Sequence, residues 1–265
     1  MISNTRRPLV TTLPQRVLRL RFLREIALVG SAYTLYELVR SLSAGRAVDA
    51  FENAEVVVGI ERALGIFTEL NVQVAFLGWG VVMDALSLWY FWGHFPLIIV
   101  FAIWAFHSHR RHYAWTRNAI FAAGAIGLVL YLTFPVAPPR LVPGGGFVDT
   151  LRGVFALQYE DSSIVNEFAA VPSLHQGFAV VVGVTLYRIF GGRKGLLLMI
   201  VLPTLMMVSI VATGNHWWID AILGAVVAVV GMIIATQIER RAPQIVRSLR
   251  QRTGARAEPQ AQRRT

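Results

Sequence analysis

The stretch Trp217–Gln237, WWIDAILGAVVAVVGMIIATQ, decides the fold class of this 265-residue chain. After Asp220 it runs for 17 residues without a single charged side chain. An α-helix needs about 20 mainly apolar residues to cross the hydrocarbon core of a bilayer. The stretch therefore predicts a transmembrane helix with a carboxylate close to its first end.

The remainder of the sequence has the same apolar character. It is 55% hydrophobic and 15% charged, with a mean hydropathy of +0.55, whereas ordinary soluble domains carry about 25% charged residues. We predict an all-α polytopic membrane protein with a bundle of six transmembrane helices. The predicted spans are Phe22–Leu42, Tyr90–Phe106, Trp115–Phe134, Leu174–Phe190, Leu196–Thr213 and Trp217–Gln237.

The segment between the first two spans has a mixed composition. Residues 46–89 combine apolar runs with many acidic side chains, which favours amphipathic or re-entrant helices at the membrane interface over a full span. The predicted membrane-embedded domain is then 22–238. A basic N-terminus, 1–21, and a basic polar tail, 239–265, flank it, and both are predicted to be cytoplasmic.

The distribution of charge predicts the orientation. The net charge is +10, but the basic residues flank the apolar segments, which argues against a nucleic-acid partner. With a cytoplasmic N-terminus, 20 of the 25 Lys and Arg residues fall on the cytoplasmic side, as the positive-inside rule requires. A seventh span within 70–90 would break this bias. We predict a multi-pass cell-membrane protein; the absence of cysteine excludes disulfides and thiolate chemistry.

Two histidine clusters carry the chemistry, namely Pro172–His175 (PSLH) and His216–Asp220 (HWWID). Asp220 lies four residues after His216, so on a helix the two share one face. A carboxylate beside an imidazole fixes its tautomer and makes the other ring nitrogen a better nucleophile. His175, from a separate helix, can serve as general acid. The predicted topology places both clusters on the extracytoplasmic side.

The surroundings of these clusters indicate phosphate binding. Pro172 and Ser173 suit the first turn and the cap of a helix, whose free N–H groups favour an anion. Arg140 follows a proline-rich run that ends a span, and it can clamp a phosphate through two hydrogen bonds. Alternatives remain open: a plain helix start, an arginine that extends to the membrane surface, a structural Asp–His pair, and a His-His-Asp metal site. We predict no metal and no cofactor.

The combined pattern resembles the type 2 phosphatidic acid phosphatase superfamily, whose motifs include Pro-Ser-x-His and, at the last span, His-x-x-x-Asp. The stretches 135–140 (PVAPPR) and 166–175 (NEFAAVPSLH) resemble its inositol phosphorylceramide synthase-like branch. The resemblance covers roughly residues 85–237. It implies a six-helix core with a metal-independent extracytoplasmic site. It also implies that His216 attacks phosphorus, that Asp220 orients His216, and that His175 protonates the leaving oxygen.

Two positions depart from the superfamily pattern. Its first motif has a lysine where this chain has Thr133, and its third has an arginine where this chain has Ile210, although Ser209 matches. The synthase-like branch also lacks these cations. A phosphodiester carries one charge less than a monoester, so it needs less neutralisation. We therefore predict transfer from a lipid phosphodiester, through a phosphohistidine, to a lipid alcohol, a polyol or water.

Further residues are predicted to bind the substrate. Tyr90 and His94, four residues apart near the outer end of the second span, can contact a headgroup, although an aromatic belt with Trp89 and Trp92 is an alternative. The predicted binding residues are Arg140, Ser173, Asn215, Asn166, Tyr90 and His94. Two rival functions remain: a lipid-phosphate or polyprenyl-phosphate phosphatase, and a non-catalytic lipid transporter or membrane scaffold. The sequence does not indicate the oligomeric state.

Overall fold

The computed structural model describes residues 15–43, 45–151 and 168–255. Within these ranges the only pairing of strand type is an isolated parallel bridge between Val136 and Ala169, so the predicted all-α class is confirmed for the described chain. The helices are α1 (Gln15–Ser43), α2 (Ala47–Ala63), α3 (Glu69–Leu77), α4 (Gly80–Ser108), α5 (Arg110–Thr133), α6 (Leu174–Phe190), α7 (Gly192–Ala212) and α8 (Trp218–Ala255).

Four of the described helices are long and apolar enough to cross a membrane. They are α4, α5, α7 and the part of α8 up to Ala242, whereas α6 is a shorter apolar helix. The outward face of α8 is apolar and exposed, as at Ile222, Val226 and Ile233, and an exposed apolar face of this kind suits contact with lipid. These helices fit a membrane protein, and the full count of six spans stays a prediction.

The segment between the first two predicted spans divides into two parts. Helices α2 and α3 form one part and are separate elements. The other part, residues 80–88, belongs to α4, because the helix continues from it through a π-helical turn, Trp89–Gly93, to Ser108. The helix that contains the second predicted span, Tyr90–Phe106, therefore begins earlier, at Gly80. Asp84 is the only charged residue between Gly80 and Tyr90 and its side chain is exposed, so its charge does not end the helix.

Helices α6 and α8 approach each other closely because both carry glycine at their contact. A Cβ atom on Gly224 would lie 2.1 Å from the carbonyl oxygen of Ser173, and one on Gly177 would lie 2.8 Å from the carbonyl oxygen of Gly224. Small residues at such a crossing allow two backbones to touch. The contact places the start of α6 directly against the first turns of α8.

The opposite end of the bundle is held by an ion pair between α1 and α5. Glu25 accepts hydrogen bonds from Arg117, at 2.6 Å to Oε1, and from the hydroxyl of Tyr113, at 3.1 Å to Oε2. The Glu25 carboxylate is buried, and a buried charge needs such partners. Glu25, one of the charged residues within the first predicted span, thus faces protein.

Candidate active site

The PSLH stretch is held by the end of α5 and the segment that follows it. The N–H of Val136 donates to the carbonyl of Phe168 at 3.0 Å, and the N–H of Ala170 donates back to Val136 at 3.3 Å. The buried hydroxyl of Tyr131 donates to the carbonyl of Pro172 at 2.8 Å. These bonds place the segment before α6 beside the proline-rich run, two stretches that the sequence separates by more than thirty residues.

The loop that carries His216 is fixed by backbone contacts. The carbonyl of Ile210 accepts the N–H groups of both Asn215 (3.0 Å) and His216 (3.1 Å). Gly214 has φ +68°, and a Cβ atom there would lie 3.0 Å from the side-chain nitrogen of Gln73. Its carbonyl accepts the N–H of Arg140 at 2.9 Å. Ile210, which stands where the resemblance expects an arginine, thus contributes its carbonyl group and not a charge.

His216 is buried, with its Nδ1 atom 2.9 Å from the carbonyl oxygen of Ala170 and 3.3 Å from Oδ2 of Asp220. A carbonyl oxygen can only accept, so Nδ1 carries the hydrogen and Nε2 keeps its lone pair. Burial, opposed by the contact with Ala170 and assisted by the positive charge of Arg140, lowers the pKa of His216 to about 3. The imidazole is therefore neutral at pH 7, which is the form that a nucleophile needs.

Asp220 has two roles at the first turn of α8. Its fully buried carboxylate accepts the backbone N–H of Trp217 at 2.8 Å and faces His216 at 3.3 Å. The predicted contact between His216 and Asp220, which are four residues apart, is therefore present. The shorter bond of His216, however, goes to the carbonyl of Ala170, so the orientation of the imidazole depends on that carbonyl as well as on the carboxylate. A backbone acceptor of this kind has no signature in sequence.

His175 lies among aromatic rings. Its ring centre is 6.1 Å from that of His216, so the structure brings the two predicted histidines together from separate elements. Tyr90 (4.6 Å), Phe95 (5.1 Å) and His94 (5.3 Å) surround it. Tyr90 and His94 therefore lie at the site, and Phe95 is a neighbour that the sequence did not indicate.

The predicted phosphate-binding groups lie around the two histidines. The Arg140 side chain is 3% exposed, and its Nε atom lies 3.7 Å from Oδ2 of Asp149. Ser173 caps α6, because its hydroxyl accepts the N–H of Gln176 at 3.4 Å. The cap occupies the hydroxyl oxygen, so an anion at this helix start would meet backbone N–H groups and the O–H of Ser173.

The remaining two residues from the predicted substrate-binding set are Asn215 and Asn166. The side-chain amide of Asn215 donates to the hydroxyl of Thr213 at 2.7 Å, so the structure uses that donor inside the loop. Asn166 lies outside the described residues. Among the residues that the structure describes, no group of three or more His, Cys, Asp or Glu side chains is arranged to hold a metal ion.

Two buried glutamates hold the first turn of α8 from outside the reacting groups, and the sequence did not single them out. Glu61 of α2 accepts the N–H of Ile219 at 2.8 Å, and Glu69 of α3 accepts the N–H of Trp218 at 3.1 Å. Both side chains are fully buried. Carboxylates at a helix N-terminus satisfy its free N–H groups and its positive dipole. In the sequence these residues were two of several acids in an ambiguous segment, with no feature to separate them from exposed ones.

Comparison with known proteins identifies the family. No curated protein matches the chain, and no solved structure matches it. The model of a protein family described as the PAP2 superfamily matches residues 55–234, which is more than half of the chain and contains every described group of the site. The chain belongs to the PAP2 superfamily.

Proposed function

We propose that this protein transfers a phosphoryl group from a lipid phosphoester by way of a phosphohistidine at His216. The observation that carries the proposal is the bond from His216 Nδ1–H to Ala170, which leaves Nε2 as the nucleophile. A second histidine, the half-buried His175, lies nearby on another helix. Membership of the PAP2 superfamily suggests phosphatase or phosphotransferase chemistry and supports the same conclusion.

The reaction proceeds in two steps. His216 Nε2 attacks phosphorus, the bond from phosphorus to the leaving oxygen breaks, and that oxygen takes a proton from His175. An acceptor alcohol or water then gives its proton to His175 and attacks the phosphohistidine, which releases His216. Asp220 stabilises the positive charge on His216, while Arg140 and the N-terminal N–H groups of α6 stabilise the phosphoryl oxygens. The negative phosphate favours the protonated form of His175 that the first step requires.

The donor that we propose is a lipid phosphodiester, as in the inositol phosphorylceramide synthase-like branch. Thr133 and Ile210 stand where superfamily members carry cations, so the site has less positive charge to offset a doubly charged monoester. Phe95, beside His175, is 47% exposed on the outside of α4, which suits a substrate that arrives from the bilayer. The acceptor is a lipid alcohol, a polyol or water. A lipid-phosphate or polyprenyl-phosphate phosphatase is the alternative within the same chemistry.

The purified protein in detergent provides the test. We expect a donor labelled at phosphorus to leave acid-labile label on the protein, and added alcohols to divert product away from hydrolysis. Phosphodiesters should react faster than the matching monoesters. If no donor labels the protein, the non-catalytic alternative of a lipid transporter or scaffold would replace this proposal.

We further propose that the site faces away from the cytoplasm, with both termini inside. The distribution of Lys and Arg supports this orientation. Because the chain has no cysteine, single substitutions report the side directly. Val148→Cys, at a half-exposed position near the site, should react with an impermeant thiol reagent in intact cells. His107→Cys, at the other end of α4, should not, and the reverse pattern would invert the topology.

A further inference from the structure

We propose that Glu61 and Glu69 are positioning residues that share a single proton, and that this proton keeps the first turn of α8, with His216 and Asp220, in its active arrangement. The proposal rests on the proposed function for its kinetic test and on the geometry alone for its spectroscopic test. It concerns two side chains that do not reach the reacting atoms.

The first turn of α8 is held by carboxyl groups from three different helices. Asp220 of α8 accepts the N–H of Trp217 at 2.8 Å. The next two N–H groups, of Trp218 and Ile219, go to Glu69 of α3 at 3.1 Å and Glu61 of α2 at 2.8 Å. Since Trp217 directly follows His216, any displacement of this turn also displaces the nucleophile.

The two glutamates meet through their other oxygens. The Oε1 atom of each glutamate accepts an N–H of α8. The buried Oε2 atoms of both glutamates therefore have no donor if both groups are ionised. Their Oε1 atoms bind the N–H groups of two consecutive residues, Trp218 and Ile219, so the two carboxyl groups lie side by side, and Glu69 acts directly on the Glu61 side chain. Two carboxylates cannot hydrogen-bond, because neither has a hydrogen to donate. One proton between them satisfies both oxygens and leaves the pair with one negative charge.

The charges around the pair indicate where the proton stays. Burial, and after it the contact with Glu69, raise the pKa of Glu61 to about 9. Besides Glu69, the ionisable group that acts on it is Asp220 from α8. Arg62, the next residue along α2, turns outward onto the ring of Phe67 at 4.9 Å. Glu61 is thus protonated at pH 7, and above pH 9 its ionisation sets two carboxylates against each other.

The variant Glu61→Gln tests the role of the ionisable proton, because it keeps the shape of the side chain. The amide in Glu61→Gln can donate to Glu69 and accept from Ile219, just as the protonated acid does, but it cannot ionise. Glu61→Ala removes both bonds. Glu55→Gln is the matched control, because Glu55 lies on the exposed face of the same helix.

The kinetic test measures kcat and KM for a labelled lipid phosphodiester from pH 6 to pH 10. In the wild type and in Glu55→Gln we expect kcat to fall as the pH rises through about 9. Glu61→Gln should keep the wild-type rate at pH 7 and lose this alkaline decrease. Glu61→Ala should lower kcat by roughly 10–100-fold, the equivalent of one hydrogen bond to a charged group, with a smaller change in KM.

A spectroscopic measurement separates this proposal from the proposed function. The infrared difference between wild type and Glu61→Gln at pH 7 should contain the carbonyl band of a protonated carboxyl group, whether or not any donor reacts. An alkaline decrease that persists in Glu61→Gln, or a difference spectrum without that band, would overturn the shared proton. Absence of turnover with the band present would reject the proposed reaction and retain the pair.

Discussion

The two histidines of the site lie in opposite kinds of surroundings. His216 is held by polar groups: Nδ1 contacts the Ala170 carbonyl and the Asp220 carboxylate, and its backbone N–H bonds to Ile210. No described residue hydrogen-bonds the imidazole of His175, and rings form its neighbourhood. Hydrogen bonds fix direction, whereas ring contacts tolerate small rotations. The proposed nucleophile is therefore fixed, and the proposed general acid can adjust.

The distance between the two rings shows why this difference matters. In-line transfer needs about 3 Å between the nucleophile and phosphorus and about 3 Å between the leaving oxygen and the acid, with the P–O bond between them. The ring centres of His175 and His216 are 6.1 Å apart, so both imidazoles border the space that such a substrate would occupy. Of the two, His175 is the one that no described polar group restrains, and we expect it to be the ring that adjusts when a substrate binds.

The first prediction tests the fixed member of the pair. His216→Ala should abolish both the phosphoenzyme and turnover, because no other described group presents a neutral imidazole held in this way. The amount of acid-labile label on the protein measures the phosphoenzyme, and the rate of product formation measures turnover. His107→Ala, at an exposed position, is the control and should retain full activity. Label on the His216→Ala protein would assign the nucleophile elsewhere.

The second prediction tests the adjustable member. His175→Ala should slow phosphoenzyme formation by roughly 10²–10⁴-fold, the usual value of general acid catalysis. The loss should shrink on a donor with a nitrophenol leaving group, since that group departs without a proton. Single-turnover rates on the two donors measure the difference. An equal loss on both would mean that His175 binds the phosphate and does not supply a proton.

The third prediction concerns the two groups that contact His216 Nδ1, namely the Asp220 carboxylate and the Ala170 carbonyl. Asp220→Asn should lower kcat by roughly 10–100-fold, because it removes a charged hydrogen-bond partner. The Ala170 carbonyl still fixes the tautomer, so phosphoenzyme should remain detectable. Asp84→Asn, at an exposed position of α4, is the control. A loss as complete as that of His216→Ala would show that the carbonyl alone cannot orient the ring.

The fourth and smallest effect concerns the segment before His175. Tyr131→Phe removes the bond from the hydroxyl to the Pro172 carbonyl and should lower kcat roughly 2–10-fold, as expected for one neutral hydrogen bond. Tyr33→Phe, at a residue that is 57% exposed, is the matched control. Equal rates for the two variants would show that the start of α6 is held without this bond.

Features with a local pattern could be predicted from the sequence. Apolar length indicated the helices, the spacing of His216 and Asp220 indicated their contact, and Ser173 after proline indicated a helix cap. The helix around the second span was predicted to begin later than α4 does, because the many acids of 46–89 suggested an interfacial segment, although only one of them, the exposed Asp84, lies within α4. Each of these predictions depended on a pattern within one continuous stretch of the chain.

The remaining parts of the site depend on contacts between distant residues. Ile219 and Glu61 are 158 positions apart, and Tyr131 and Pro172 are 41 apart. One partner in each of these bonds is a backbone group, which is present at every position and so carries no sequence signal. Glu61 could not be distinguished from exposed Glu55 by residue type, because the inward face of α2 is defined only once α8 packs against it.

The contact at Gly224 implies a pattern of evolutionary constraint. Because a Cβ atom there would lie 2.1 Å from the Ser173 carbonyl, even alanine would push away the residue that caps α6, the helix of the proposed general acid. Two residues earlier, Ile222 is 52% exposed on the same helix and can exchange with any apolar residue. Relatives that keep this arrangement should therefore retain glycine at position 224 while position 222 varies freely. Within one transmembrane helix, selection for chemistry and selection for hydrophobicity would then act on positions only two residues apart.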